Sequence, residues 1–599
     1  MLAQLINIFN LRVFVFLLFS IMIFQKPSAL ADMIATWPIQ VASDDESELL
    51  PFSSLSSFSQ AKPTMANFIY ILATGVERGI DSIDRWTITA NIEAGHIWND
   101  HETLTHVKRF VNDPSTQDSD QNPFTPEYDR HATSVASILG GHEPQGKNFG
   151  VAYNTELHSG ALATNWTGKA YSGNFTTTPE AISMVYGAFF GFADVINSSW
   201  GGPDPTGTSF PALITDGFAN ENPHSTFITS AGNLGPNSNT VGGPGSGYNN
   251  ITVGALQNDI SNIYDAVASF SSRGPQDYSD PVNGLIRGVR AEIDLVAPGA
   301  KLIAAHYGGQ TGGNHPALPK NIVSGGPGTY LKNVSGTSFS SPIVSGAAAL
   351  IIHAAKSDPE LANNLHARDA RVVKSVLLNS ADKIPGWNNG QKNHNGKIIT
   401  TQALDWASGA GALNSNHAHD RYIAAGTLDV PGFEGGTVKR SGWDYGQVGI
   451  EQTNIYHINE ILAADSLFIA TLSWFRDRAF TPGLLTSQEL GHADLDLIVR
   501  DTITKKVIAE SISTYNVVEH LYFTLPASSL YQIEVNYNGN LFGSLKKEEY
   551  GLAWFSSPRG EAAAKKPVRK DESYPFFGAP HLAHGKSTVL PCGRLLVTK

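Results

Sequence analysis

Apolar positions between residues 84 and 415 follow two alternating patterns. Short runs at 86–92, 193–200, 226–230 and 250–256 read as strands, each bounded by turn residues. Segments at 131–139, 178–190, 340–355 and 367–379 read as helices. The third is small and apolar all round, as a buried helix is, whereas the fourth gathers Val372, Val373, Val376, Leu377 and Leu378 on one face. Strands alternating with helices predict an α/β fold, a mostly parallel sheet with helices on both faces. Catalytic groups in such folds collect where strands end and helices begin.

After residues 409–414 the texture changes to short alternating runs separated by turns, at 467–474, 495–499, 519–523 and 531–535. That pattern predicts an all-β sandwich domain following the α/β one. At the other end, Arg12 precedes an apolar run from Val13 to Phe24, and the small-residue site Ala29-Leu30-Ala31 precedes Asp32. This is the order of a secretory signal peptide, and about 12 apolar residues is short for a bilayer span. No other stretch reads as a transmembrane helix. The expected organisation is a signal peptide at 1–31, an N-terminal arm or short leader at 32–80, a catalytic domain at 81–420, a sandwich at 426–558 and a flexible tail at 559–599.

Composition narrows the picture. A net charge of −13 gives no reason to expect a nucleic-acid partner. The single cysteine, Cys592, allows no intramolecular disulfide, so an exported chain of this kind is held by packing, with structural calcium as an option that no motif locates. No cofactor is required for the chemistry read below. The chain is expected to be extracytoplasmic, secreted or periplasmic, and monomeric, with no membrane association after signal cleavage.

The candidate chemistry begins at Gly336-Thr337-Ser338-Phe339-Ser340-Ser341-Pro342. Glycine frees the turn, and the serine hydroxyl falls at a helix N-terminus, where unpaired N–H groups and the dipole favour developing negative charge. Pro342 lies within the opening turns, where a missing N–H is tolerated. A serine needs an adjacent base to attack, commonly a histidine oriented by a carboxylate. The candidate base is His131, in Asp129-Arg130-His131-Ala132-Thr133-Ser134-Val135-Ala136, and the candidate carboxylate is Glu93, ending Ile88-Thr89-Ala90-Asn91-Ile92-Glu93. Asp100 and Asp129 are the fallback carboxylates. His96, His101 and His106 match no metal-binding pattern and read as loop residues.

These segments resemble, in order, the motifs of the subtilases, the subtilisin-like serine peptidases. Ser338 stands in the nucleophile motif and His131 in a His-Gly-Thr-x-Val-Ala-Gly motif whose glycine is here Ala132; Glu93 stands where the family has aspartate. The resemblance implies that Asn233, in Ser230-Ala231-Gly232-Asn233, supplies the oxyanion amide beside the Ser338 N–H, with Gly232 in the substrate site. It further implies that Ser199, Trp200 and Gly201 pair with an extended peptide, Trp200 shaping a distal subsite, and that the run Gly242-Gly243-Pro244-Gly245-Ser246-Gly247 borders a roomy, uncharged primary pocket. Residues 268–275 and 294–299 also resemble family segments. The C-terminal runs are similar to jelly-roll domains of the bacterial pre-peptidase C-terminal type.

The function so implied is an exported serine endopeptidase with a Ser-His-Glu triad acting on peptide or protein substrates. Its rival is a pseudopeptidase that binds extended peptides without cutting them. A sedolisin-like enzyme, which places glutamate in its triad, is disfavoured by the motif order and by Asn233. Only 61 residues separate the expected cleavage site from Glu93, too few for a full subtilase prodomain.

Overall fold

The computed structural model describes residues 48–51, 87–113, 128–142, 150–153, 155–166, 175–258, 264–308, 328–424 and 435–557. The expected signal peptide, most of the expected arm and the expected tail lie outside them.

An eight-stranded sheet forms the centre of the first half. Its path runs Tyr264–Val267, Ile251–Asn258, Thr226–Ser230, Val195–Ser198, Ile88–Glu93, Glu156–Ala161 and Arg109–Asn112, with Leu295–Pro298 also paired to Ile251–Asn258. All pairings are parallel except that of Tyr264–Val267. Ile88–Glu93 is the strand at which the order reverses: the next elements in the chain lie on one side of it, and Val195–Ser198 and its successors on the other. Such a switch point opens a crevice at the carboxyl ends of the two strands beside it. Those ends carry Glu93 and Ser199.

Two helices pack on one face. Arg130–Gly140 is capped by Asp129, whose side chain accepts from Ala132 N, and Thr337–Ser357 packs against it. The latter helix begins three residues before the expected start, because Gly336 takes φ 153° and turns the chain directly into Thr337. By length and composition it could cross a membrane, contrary to expectation, yet 83% of its apolar window is buried inside the protein. The opposite face is covered by Pro179–Gly187 and Phe210–Glu221, whose Ile182, Val185, Ile214 and Phe218 share a core with Ile196 and Phe227.

Residues 435–557 build two sheets around a common core that includes Phe468, Leu472, Trp474, Leu497, Ile533 and Trp554. Four strands form one sheet, in the order Ser441–Gly449, Lys547–Ser556, Leu467–Trp474, Val518–Thr524. The other centres on the long partners Thr486–Asp501 and Tyr531–Gly543. It is not purely antiparallel, since Lys397–Thr400 joins it parallel to Val507–Ser511. That strand and its partner Lys392–His394 come from before residue 420, so the second core incorporates a hairpin from the first part of the chain.

The helix Ala370–Asn379, expected to bury one face, is buried at all ten residues. Its polar side is covered by the C-terminal strands: Ser375 Oγ donates to Gly551 O at 2.8 Å, and Asn379 Nδ2 donates to Ala553 O at 3.0 Å. Arg371 pairs with Asp369 and Glu549, and Lys374 with Asp294.

Candidate active site

Glu93 ends a strand buried from its second residue onward. Its Oε2 lies 3.0 Å from His131 Nδ1, and its Oε1 accepts the Ser199 N–H at 3.0 Å. Burial pushes the carboxyl pKa up, by more than the imidazole beside it draws it down. The extra methylene of glutamate, relative to aspartate, is thus taken up with both oxygens engaged, and the carboxylate fixes which imidazole nitrogen carries the proton. His131 sits at the second position of its helix, and its ring lies 5.8 Å from that of Phe339.

Ser338 is the second residue of its helix and only 2% exposed. Its Oγ donates to the Ser199 carbonyl at 3.1 Å. Since Ser199 spends its N–H on Glu93, its carbonyl is what it can offer an incoming strand. Pro342 has no N–H to give the Ser338 carbonyl one turn behind it, so that end of the helix stays open.

Asn233 is held by its oxygen. Oδ1 accepts from Thr337 N at 2.9 Å and Thr337 Oγ1 at 3.0 Å, and Thr337 Oγ1 in turn accepts the Gly232 N–H at 3.1 Å. With the oxygen so committed, the amide NH₂ is the group left to reach a ligand. Gly232 adopts φ 100°, a conformation that a side chain would resist.

A cleft of about 410 Å³ adjoins Ser338 and Asn233, lined also by Trp200, Gly201, Gly232 and Gly242 among others. Gly201 must be glycine, because a Cβ there would lie 2.7 Å from Gly243 O. The wall opposite is the glycine run, where Gly242–Gly243 pairs antiparallel with Gly202–Pro203. Trp200 borders the cleft, is only 2% exposed and belongs to the core with Tyr186 and Phe218.

The other candidates fall elsewhere. Asp129 caps the histidine helix, Oδ2 accepting Ala132 N at 2.9 Å, and Asp100 is exposed. His96 and His101 lie in the loop that follows Glu93, as read, and are fully buried there. His96 bonds Ser159 Oγ and Asn112 Oδ1, and His101 bonds Thr103 Oγ1 and Thr329 O. His106 lies against His142 with ring centroids 3.6 Å apart and the rings tilted by 39°. Among the described residues no group of three or more His, Cys, Asp or Glu could hold a metal ion, so we name no site for calcium.

One set of residues escaped the sequence reading. Asn197 donates to Asn91 Oδ1 at 2.8 Å and to Ser199 Oγ at 3.0 Å, and its own Oδ1 accepts from Ser341 and Ser345 at 2.8 and 2.9 Å. Asn91 Nδ2 reaches Ala132 O at 3.3 Å. This buried network joins the acid strand, the histidine helix, the substrate strand and the serine helix. Its signal was an asparagine following an apolar residue inside each of two neighbouring strands.

A model of the subtilase family matches residues 53–410. Serine protease AprX of Bacillus subtilis is 33% identical over 190 residues, which are 31% of this chain and 34% of that one. Subtilisin-like protease SBT6.1 of Arabidopsis thaliana is 26% identical over 320 residues, 50% of this chain and 26% of that one. A thermophilic serine proteinase of a Bacillus species is 30% identical over 270 residues, 45% of this chain and 50% of that one. The matched part is thus half or less of the length of each of these relatives.

Proposed function

The chain belongs to the subtilase family, and from that premise we propose that it is a serine endopeptidase using Ser338, His131 and Glu93, with Asn233 as oxyanion donor. The observation that carries this reading is the glutamate with both oxygens engaged, one on His131 and one on the Ser199 N–H, beneath a cleft that contains Ser338. An extended peptide lies along Ser199, Trp200 and Gly201, using backbone groups for pairing. Ser338 Oγ attacks the scissile carbonyl carbon while its proton passes to His131 Nε2. Negative charge developing on the carbonyl oxygen meets the Asn233 amide and the Ser338 N–H. The C–N bond then breaks, and His131 returns the proton to the leaving amine. Water repeats the sequence on the acyl-enzyme, freeing the acid and restoring Ser338. Glu93 remains ionised throughout and holds the imidazolium that forms twice in each cycle.

In this reading residues 81–420 form the peptidase domain, residues 426–558 a sandwich packed against it, and the signal-like pattern at 1–31 directs export. The substrate is a peptide or protein, and the uncharged glycine-rich wall favours apolar residues at the primary site.

Fluorophosphonate labelling of the purified protein, beside Ser338→Ala, tests the proposal. Labelling confined to the unsubstituted protein, together with peptide hydrolysis that Ser338→Ala abolishes, is the expected result. A folded protein that binds peptides yet takes no label would be the pseudopeptidase.

A further inference from the structure

We propose that Arg478, contributed by the C-terminal strand Asp477–Thr481, is a positioning residue for the glycine-rich wall of the substrate cleft and acts through Asp216. The inference rests on the endopeptidase reading above and assigns part of the specificity apparatus to the second core.

The wall has little means of locking itself. Its residues 242, 243, 245 and 247 are glycines, and Gly242–Gly243 has only two residues of ladder with Gly202–Pro203. No side chain at those glycines can wedge against a neighbour, so the wall is placed by the groups around it: along its length Asn250 Nδ2 donates to Pro244 O, Thr252 Oγ1 to Gly245 O and Arg290 to Ser246 O. At the downstream end the Asp216 carboxylate accepts the Tyr248 N–H at 3.0 Å and the Asn249 N–H at 2.9 Å. A Cβ on Gly247 would approach Asp216 Oδ1 to 2.8 Å, so the glycine is what allows this grip.

Asp216 is fully buried in the helix Phe210–Glu221, and its ion pair is with Arg478, Nη1 to Oδ2 at 2.6 Å with both side chains 0% exposed. The same Nη1 donates to Gly207 O at 2.7 Å. Gly207 follows the other wall, the segment through Gly201 and Gly202, and takes φ 67° in a place where a Cβ would strike Ser246 O. One guanidinium nitrogen therefore holds both the carboxylate that anchors the glycine wall and the loop that leaves the wall facing it. Behind it, Glu489 accepts from Arg478 Nε and Nη2 at 3.0 and 2.7 Å and from Arg476 Nε at 2.9 Å. Arg476 adds a second tie, its N–H donating to Asn249 Oδ1 and its carbonyl accepting from Asn249 Nδ2. The planar fork matters here, because a point charge could satisfy Asp216 without aligning Gly207 and Glu489.

The test compares Arg478→Met, Arg478→Lys and the double variant Asp216→Asn, Arg478→Met in the full chain. Substrates are two peptides differing only in alanine or phenylalanine before the scissile bond, and a small fluorophosphonate reports on Ser338. If Arg478 positions the wall, KM for the phenylalanine peptide rises roughly tenfold in Arg478→Met while kcat and the labelling rate stay within about twofold. Arg478→Lys shifts in the same direction by less. Should Arg478→Met leave Asp216 as an unpaired buried charge and fail to fold, the double variant, which removes both charges, carries the comparison. Folded variants whose ratio of KM values for the two peptides equals that of the unsubstituted protein would overturn the inference and leave the endopeptidase reading standing. An unsubstituted protein that neither takes label nor cleaves would overturn both.

Discussion

Glu93 and Ser338 are fastened to one peptide residue from opposite sides: Glu93 accepts the Ser199 N–H at 3.0 Å, and Ser338 Oγ donates to the Ser199 carbonyl at 3.1 Å. The carboxylate is therefore registered against the substrate strand as well as against His131. A change in its reach disturbs both contacts together.

Glu93→Asp, which restores the residue usual in the family, should accordingly lower activity. Withdrawing the carboxylate by roughly 1.5 Å, a bond length, pulls it from His131 or from Ser199. We expect kcat/KM to fall by about 10²-fold, and Glu93→Gln, which leaves the imidazole without its counter-charge, to cost about 10⁴-fold in kcat. Steady-state kinetics on one peptide decides it; an aspartate variant as fast as the unsubstituted protein would refute this account of the glutamate.

Asn233→Ala removes the amide while leaving Thr337 without its acceptor. Because the lost bond forms only as charge develops, kcat should drop by about 10²- to 10³-fold with KM little changed. A rise in KM at constant kcat would instead assign Asn233 to ground-state binding.

Asn197 makes no contact with substrate in this scheme, yet it binds four partners on three elements. Asn197→Leu would take the acceptor from the Ser341 hydroxyl and the donor from Asn91 Oδ1 in the interior, while Ser345 Oγ keeps its bond to Ser341 O. A loss on the order of 2–4 kcal/mol in unfolding free energy is expected by denaturant titration, since each stranded group loses its desolvation compensation.

Burial lowers the pKa values of His96 and His101 to about 4 and that of His306 to about 3. In the unfolded chain these imidazoles take up protons near pH 6.5, whereas the folded protein resists until about 4. Below pH 6.5 the unfolded state binds more protons, so folded-state stability is intact above that pH and is lost as pH falls towards 4. Thermal unfolding from pH 7.5 downward should show Tm falling steeply across this window, and His306→Phe should flatten the fall. A Tm constant between pH 6.5 and 4.5 would contradict the assignment.

The sequence announced the sheet and site best where buried strands are apolar and bounded by turns. Thr226–Ser230 and Leu467–Trp474 appear with their expected limits. Glu156–Ala161 was invisible because His158, Ser159 and Gly160 break its apolar run; it is buried nonetheless, with Ser159 Oγ accepting the Ile97 N–H and bonding His96. Phe210–Glu221 was hidden by Pro211 at its start and Gly217 within it, the glycine being the point where Phe480 of the strand Asp477–Thr481 packs. The site residues were legible because each lies in a motif of consecutive residues. The Asn91–Asn197 network and the Asp216–Arg478 pair were not, because each joins residues more than a hundred positions apart.

The hairpin Lys392–Thr400 gives the molecule a timetable. Its second strand finds its parallel partner only at Val507–Ser511, and the polar side of Ala370–Asn379 receives its cover only when Lys547–Ser556 arrives. As the chain emerges during synthesis, every catalytic residue is present well before the pieces that close the interior around them. If the glycine wall needs Arg478 to stand in place, a nascent chain holds a nucleophile and a base without a formed cleft. The cleft would be complete only once Lys547–Ser556 had been made, and a chain broken off before that strand would carry the residues of the site without the means to use them on its neighbours.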